Sequence, residues 1–464
     1  MMRFLLPVIL VGCGTTPSAE PGFDSSDTRI DRAQDFDPDS ASSQTCASGE
    51  RVYVVWVDDR DGTPGVWLNA SSDGGATWQP EAVAINGDPA AALNPSLACD
   101  GARVYVAWED ARDGELAQPA IYFTRSDNGG DSFVWPERID FATQGRYPSH
   151  APQVAAVGDQ VNVTWFNYLY GAPDVYVATS LDGGRTFVEP LRLDSDNRGE
   201  TWSGYPKIAA NAEAVHVVWE DHRNGGADLY TAMSTDGGLS FTEDQRIDGG
   251  LAGASDSQWA QIALDGSQAW VVWHDQRDGE GFGVYGSWFD GASWLAEAFR
   301  VDEAQPGMYD SLRPQLVAFA GRAHVAWEDD RLGMPDVRYR TLSSGGLQGE
   351  EVHIDTNDSV SQARNPRLVE DGDAIAVVWE DTRWDTSGQG TNDLYYRYSS
   401  DDGATWSAED FQLNSYQRAA TYAVDPHVQL VDGQLLASWT DGRGGTADIY
   451  FHRLGLGFEA PTPE

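Results

Sequence analysis

Seven times along the chain, a tryptophan that ends an apolar run is followed closely by Asp, one further residue and Arg. The pairs are Asp58 and Arg60, Asp110 and Arg112, Asp221 and Arg223, Asp275 and Arg277, Asp329 and Arg331, Asp381 and Arg383, and Asp441 and Arg443. A ring of such pairs could hold cations through its carboxylates or anions through its guanidiniums. Regular repetition fits a strand-end brace better, with each Arg in a bidentate bond to a carboxylate. One copy departs: within FNYLYG the residues Asn167, Tyr168, Leu169 and Tyr170 replace the charged pair, and the gain of aromatics marks this loop as one that faces something else. A second set diversifies instead of repeating. Tyr205 and Trp259 offer flat rings for stacking on a sugar, with Trp202 nearby; Arg313 offers a guanidinium to a carboxylate, and Asp425 an acceptor for hydroxyl groups.

Other chemistries lack their signatures. The chain has no HExxH, no GxSxG and no GxxxxGK[ST], and its eight His are scattered, with no Cys or His cluster at zinc-ligand spacing. With 73 acidic and 30 basic residues, the net charge of -43 repels phosphate backbones and argues against nucleic-acid binding.

The elements that must carry these residues recur. An alternating apolar pentad ends at Trp56, Trp108, Trp165, Trp219, Trp273, Trp327, Trp379 and Trp439, at intervals of 52 to 60 residues. Each unit holds four strand-like runs, A to D; in the fourth unit they start at Pro206, Val215, Asp228 and Gln245. The 49 Gly and 22 Pro suit many short strands and tight turns. A four-stranded meander cannot cover both of its apolar faces, so the units must stack, and a radial ring of sheets does this. The expectation is all-β: a β-propeller of eight four-stranded blades, with seven blades and one displaced unit as the alternative. The eighth unit shows no strand D, whereas TRID at Thr28–Asp31 matches ERID at Glu137 and QRID at Gln245. The N-terminal segment is therefore expected to be the outer strand of the last blade, removing an open edge. Aligned units place Asn94, Ala151, Tyr205, Trp259, Arg313, Asn365 and Asp425 just before each strand A, at the mouth of a central channel.

Between strands C and D stands a second signature, SSDGGATW at Ser71, SDNGGDSF at Ser126, SLDGGRTF at Ser180, STDGGLSF at Ser234 and SSDDGATW at Ser399. Degenerate copies occur at Phe289 and Ser343. The motif resembles the Asp-box, or bacterial neuraminidase repeat, of sialidase-like propellers, over nearly the whole mature chain. The resemblance implies a structural box: Asp accepts turn hydrogen bonds, the glycines take positive φ, and the aromatic packs beneath. It also implies a binding face opposite the boxes, built from the loops after strand B and before strand A. The sialidase pattern further requires an Arg-Ile-Pro signature, an arginine triad, an acidic acid/base and a Tyr with its Glu. Arg29 and Ile30 continue to Asp31, so the signature is missing, and no catalytic residue is carried over.

Residues 1–12 read as a signal segment, with Arg3 before an apolar run. Leu10 to Cys13 resemble a bacterial lipobox, which implies cleavage before Cys13 and acylation of that residue, with 13–27 as a flexible tether and 28–464 as one propeller domain. The protein is then expected on a membrane, the outer one or the cell surface where there are two, and as a monomer. With Cys13 assigned to lipid and the chain exported, Cys46 and Cys99 are expected to form a disulfide. The leading functional expectation is a tethered propeller that recognises a glycan or protein opposite the boxes. The rivals are a sialidase-like glycoside hydrolase and a structural envelope protein whose acidic loops bind calcium.

Overall fold

In each strand B, alternate residues face opposite ways, and both directions are apolar, so each sheet must be covered on both sides. In the computed structural model this is met by eight four-stranded antiparallel sheets arranged in a ring, an eight-bladed β-propeller. The structure describes residues 27–32, 39–87, 90–113, 118–141, 147–344, 346–357, 361–385, 391–415 and 421–456. The expected signal segment, Cys13 and the tether before Asp27 lie outside the described residues. Blades 1 to 7 span 40–84, 92–138, 149–192, 203–246, 257–300, 311–353 and 363–412. Blade 8 combines 423–455 with the strand Thr28–Arg29, which pairs with Tyr450 and Phe451, as the matching TRID string predicts.

The period-2 pattern becomes the core. Val52, Val54 and Trp56 pack against Leu436, Ile449 and Phe451 of blade 8, while Tyr53 and Val55 of the same strand pack against Val104, Val106 and Trp108 of blade 2. All eight pentad tryptophans are fully buried. Cys46 and Cys99, on the strands A of blades 1 and 2, are disulfide-linked with their Cα atoms 6.0 Å apart.

On one face, strands C and D are joined by the Ser-x-Asp-x-Gly turns. Asp73 accepts hydrogen bonds from Ser71 Oγ at 2.8 Å, Thr77 N at 2.8 Å and Thr77 Oγ1 at 2.6 Å. Gly75 has φ 84°, and a Cβ there would collide with the Phe451 ring of the preceding blade, against which Trp78 also packs. Blade 6 differs: strand C (Asp336–Ser343) returns almost at once as an eight-residue strand D (Gly346–His353), so the degenerate motif at Ser343 forms a plain hairpin.

One expectation about position is corrected. The seven residues placed just before strand A lie inside it, each the third residue of its strand: Asn94 in Ala92–Asp100, Tyr205 in Ser203–Ala210, Asp425 in Ala423–Val431. Each sits where the A–B register slips by one residue, and each has a positive φ, from 49° to 59°, as does an eighth member, Ser42. The residue that follows is Pro in six blades, which reads from sequence as a strand start, but the chain pairs through it with a β-bulge.

The latch is testable through Ile30, which is 3% exposed between blades 8 and 1. Ile30→Ala is expected to lower stability by about 2–5 kcal/mol in denaturant unfolding, as for a buried Ile elsewhere in a core.

Candidate functional site

The face opposite the Ser-x-Asp-x-Gly turns is built on the ends of the strands B. In blade 4, Asp221 accepts from Trp219 Nε1 at 3.2 Å, Ser203 Oγ at 3.0 Å, and Arg223 N and Nε at 2.9 Å each. The Arg223 guanidinium then lies 4.0 Å over the Tyr230 ring. The same arrangement recurs with Arg112 over Tyr122, Arg277 over Tyr285, Arg383 over Tyr395 and Arg443 over Tyr450. Burial pushes Asp275 up, but the hydrogen bonds and charge of Arg277 outweigh it, and the carboxyl ends below its usual range. These pairs are braces: the carboxylate is spent within the blade, and the guanidinium also ties the blade to the preceding one, as where Arg60 donates to Asp31 O and Arg277 to Asp248 O, each at 2.7 Å.

In blade 3 the brace is rebuilt with an amide. Asn167 accepts from Leu169 N at 2.7 Å and donates to Ser149 Oγ at 2.7 Å. It is 1% exposed, so this candidate ligand contact does not reach the surface. Among the described residues the buried Trp165 indole N–H has no partner, as is also true of Trp327 in blade 6.

The glutamate that often precedes the brace Asp supports the bulges. Glu109 accepts from Ala151 N of the next blade at 2.9 Å and from Asn94 Nδ2 of its own at 2.9 Å. Glu328 accepts from Asn365 N at 2.7 Å and pairs with Arg313 at 2.9 Å; Glu380 accepts from Asp425 N at 2.9 Å and Asn365 Nδ2 at 2.9 Å. A side chain at φ near +50° is strained, and the relay holds Ala151, Trp259, Asn365 and Asp425 there, whereas Tyr205 follows a blade with Phe166 in place of the glutamate. Blade 4 breaks the pattern. Glu220 accepts from Trp259 N at 2.9 Å, but its own bulge residue is Tyr205, which sends it no hydrogen bond.

The candidate residues fall into two groups around the channel mouth. Tyr168, Trp202 and Tyr205 converge on Phe166: Phe166 lies 6.0 Å from Tyr168 and from Trp202, and 5.6 Å from Tyr205, while Trp202 and Tyr205 are 5.3 Å apart. On the next blade, Trp259 stands 6.3 Å from His274 and 6.0 Å from the Arg313 guanidinium. Tyr205 and Trp259 are each 56% exposed, a large apolar exposure for strained positions. Tyr170 stands apart on its loop under Arg198. Arg313 is tied to Glu328, and Asp425 lines a cavity of about 490 Å³ together with Asn94, Gln153, Arg367 and His427.

Two cations that belong to no motif lie in the channel. They occupy the second position after each bulge, where neighbouring blades carry Gln153, Gln261, Gln315 and His427. Blade 7 has Arg367 there, and blade 4 has Lys207, the only lysine in a chain of 464 residues. That singularity was the readable signal. Among the described residues no carboxylate lies within 4.0 Å of either cation; Arg367 donates to Pro426 O at 2.9 Å. Burial, reinforced by the Arg367 charge, holds the Lys207 ammonium below the usual lysine range. Burial also pushes Glu220 up to about 7, against the Trp259 N–H and the Lys207 charge, which lower it. His274, beneath Trp259, is lowered to about 4 by burial and by Arg313, so its ring is neutral.

No family model matches the chain, and no curated protein matches it. Among solved structures, the polysaccharide lyase Uly1 aligns at 10% identity over 78% of this chain and 89% of that one, with a TM-score of 0.50. An ulvan lyase from a new polysaccharide lyase family aligns at 11% identity over 90% of this chain and 94% of that one, with a TM-score of 0.48. A Hadza microbial sialidase aligns at 13% identity over 71% and 74%, with a TM-score of 0.39. At 10% identity the likeness to Uly1 is one of fold alone.

The Glu220 carboxyl generates a pH prediction. Its folded-state value lies above the unfolded one, so its contribution to stability is present below the ordinary glutamate value and is lost as pH rises through about 7. Unfolding in denaturant at pH 5 and at pH 8 is expected to show Glu220→Gln losing less stability between the two than the parent, by on the order of 2–3 kcal/mol. Equal losses would mean that Glu220 is not shifted.

Proposed function

We propose that this protein is a recognition propeller that binds a glycan carrying an acidic group at the channel mouth, on the face opposite the Ser-x-Asp-x-Gly turns. The observation that carries the reading is a departure from eightfold equivalence. Seven strand ends keep the same charged brace, while two adjacent bulges project exposed aromatic rings beside a channel holding two cations that have no carboxylate within 4.0 Å among the described residues. Sugar rings stack their C–H faces on aromatic rings, and Asp425, Asn94 and Gln153 offer hydroxyl partners. The lyase Uly1 acts on a polysaccharide, but what it shares with this chain is scaffold, and the site must be argued from these residues.

A second reading, glycoside turnover, has one observation in its favour: Glu220, a carboxyl near 7 at the mouth, is suited to proton transfer. Tethering through an acylated Cys13 rests on the lipobox-like string alone. Labelling with a palmitate analogue is expected to mark the parent protein and to fail with Cys13→Ala.

Glycan-array binding, with and without calcium, tests the main reading. Tyr205→Asn and Trp259→Asn place in the bulge a residue that blades 2 and 7 already carry there, so stability is expected to hold within about 1 kcal/mol while binding falls about tenfold or more. Lys207→Gln, which matches Gln261, is expected to remove the preference for acidic over neutral glycans and to flatten the salt dependence. Binding unchanged in all three variants would refute the site. Turnover of a glycoside panel that disappears with Glu220→Gln would establish the second reading.

A further inference from the structure

At the rim of the same face, blades 3, 4, 6 and 8 each carry two carboxylates, one starting strand C and one just past strand D. In blades 3, 4 and 8 an arginine on strand D reaches both: Arg192 contacts Asp174 and Asp194, Arg246 lies 3.2 Å from Asp228 and 2.8 Å from Asp248, and Arg29 lies 2.7 Å from Asp448 and 2.8 Å from Asp31. In blade 6 the arginine position is His353, on the long hairpin strand unlike any other strand D in the molecule. His353 Nε2 lies 3.0 Å from Asp355 Oδ1 and 3.8 Å from Asp336 Oδ1, and one ligand atom from each of the three residues lies within 4.8 Å of the others.

A second observation points into this cluster. The Asp336 side chain is completely buried, and neither of its carboxylate oxygens has a hydrogen-bond partner. Arg338 is the nearest guanidinium, at 3.6 Å from Asp336 and 3.7 Å from Glu351, outside hydrogen-bond reach of both. A buried carboxylate with both oxygens unsatisfied is costly, and an arginine is what meets its counterparts in blades 3, 4 and 8. Asp355 is already oriented, since its Oδ1 accepts from Val337 N at 2.8 Å.

We infer that Asp336, His353 and Asp355 form a binding site for a divalent transition-metal ion, zinc being the best fit, which clips strands C and D of blade 6 where a guanidinium does so elsewhere. Metal–ligand bonds of 2.0–2.1 Å in a tetrahedral site set adjacent ligand atoms about 3.3 Å apart, and the two distances from His353 Nε2 bracket that spacing. The imidazole selects against calcium and magnesium, which favour all-oxygen ligand sets. His353 is 22% exposed at its side chain, which gives the ion a path from solvent and leaves room for water as a fourth ligand. The role is structural, because the cluster sits on the outer strands and away from the channel.

The test is thermal unfolding of chelator-treated protein titrated separately with zinc, manganese and calcium, alongside the visible absorption of added cobalt. Zinc is expected to raise Tm by roughly 2 °C or more at saturation, calcium to do little, and cobalt to give a tetrahedral ligand-field band. His353→Arg recreates the blade 4 arrangement, so it is expected to fold with a metal-free Tm no lower than the parent and to lose both the zinc shift and the cobalt band. Asp336→Asn is expected to weaken zinc binding about tenfold or more. A parent protein that responds to none of these ions, or a His353→Arg variant that responds like the parent, would overturn the site. Neither result bears on the glycan reading, which is measured at the channel mouth.

Discussion

A sheet of four short strands with apolar side chains on both faces has no stable state alone in water, and the whole architecture answers that constraint. Each strand B divides its residues between two neighbours, so removing one blade would expose two interfaces at once. Closure extends the same requirement to the ends of the chain. Ile30 belongs to the hydrophobic layer between blades 8 and 1, and the short strand Thr28–Arg29 caps an edge that would otherwise stand open. Ring closure is thus achieved by hydrogen bonding within a blade as well as by packing between blades.

Packing positions the strands, and buried carboxylates then define the face. Asp221 and its equivalents hold an indole, a serine and an arginine together, and the arginine is flattened on a strand C ring. With that corner rigid, the glutamate one residue earlier can reach across to the next blade and hold a left-handed residue in place. The strain at Trp259 is sustained by Glu220 of the neighbouring blade rather than by its own preference, which is the arrangement expected where function requires a side chain to project. At the junction of blades 4 and 5 the lone lysine, the high carboxyl of Glu220 and the exposed rings of Tyr205 and Trp259 occur together. Repetition makes the scaffold, and departure from repetition makes the candidate site.

The same logic joins the two unusual blades. In blade 3 the amide of Asn167 replaces a carboxylate and holds Ser149 and Leu169 in its stead. In blade 6 His353 replaces an arginine and leaves Asp336 unsatisfied. Each exchange changes the polar group at a buried cluster, and each lies on the face opposite the Ser-x-Asp-x-Gly turns.

Much of the fold was legible because its determinants are periodic. A Trp at a near-constant interval, strands with period 2 and the TRID string each depend only on local sequence, and they specified eight blades and the N-terminal latch. The site was legible in part: Tyr205, Trp259, Arg313 and Asp425 stood out because they vary where the rest repeats. Their position within strand A was misread, since an X-Pro step looks like a strand start and the bulge that absorbs it exists only through pairing with strand B. Asn167 looked like an exposed substitution, yet its burial depends on how the loop folds back on Ser149. Lys207 and Glu220 escaped because neither forms a motif; what distinguishes them is the channel and the missing partner. The sequence alone determined the repeat, the strand order and the ring, because those follow from which residues must leave water. Which carboxylates remain unsatisfied, which cations lack a counter-ion and which rings stay exposed was decided by the tertiary structure, because satisfaction of a buried group depends on residues about forty or more positions away or on another blade.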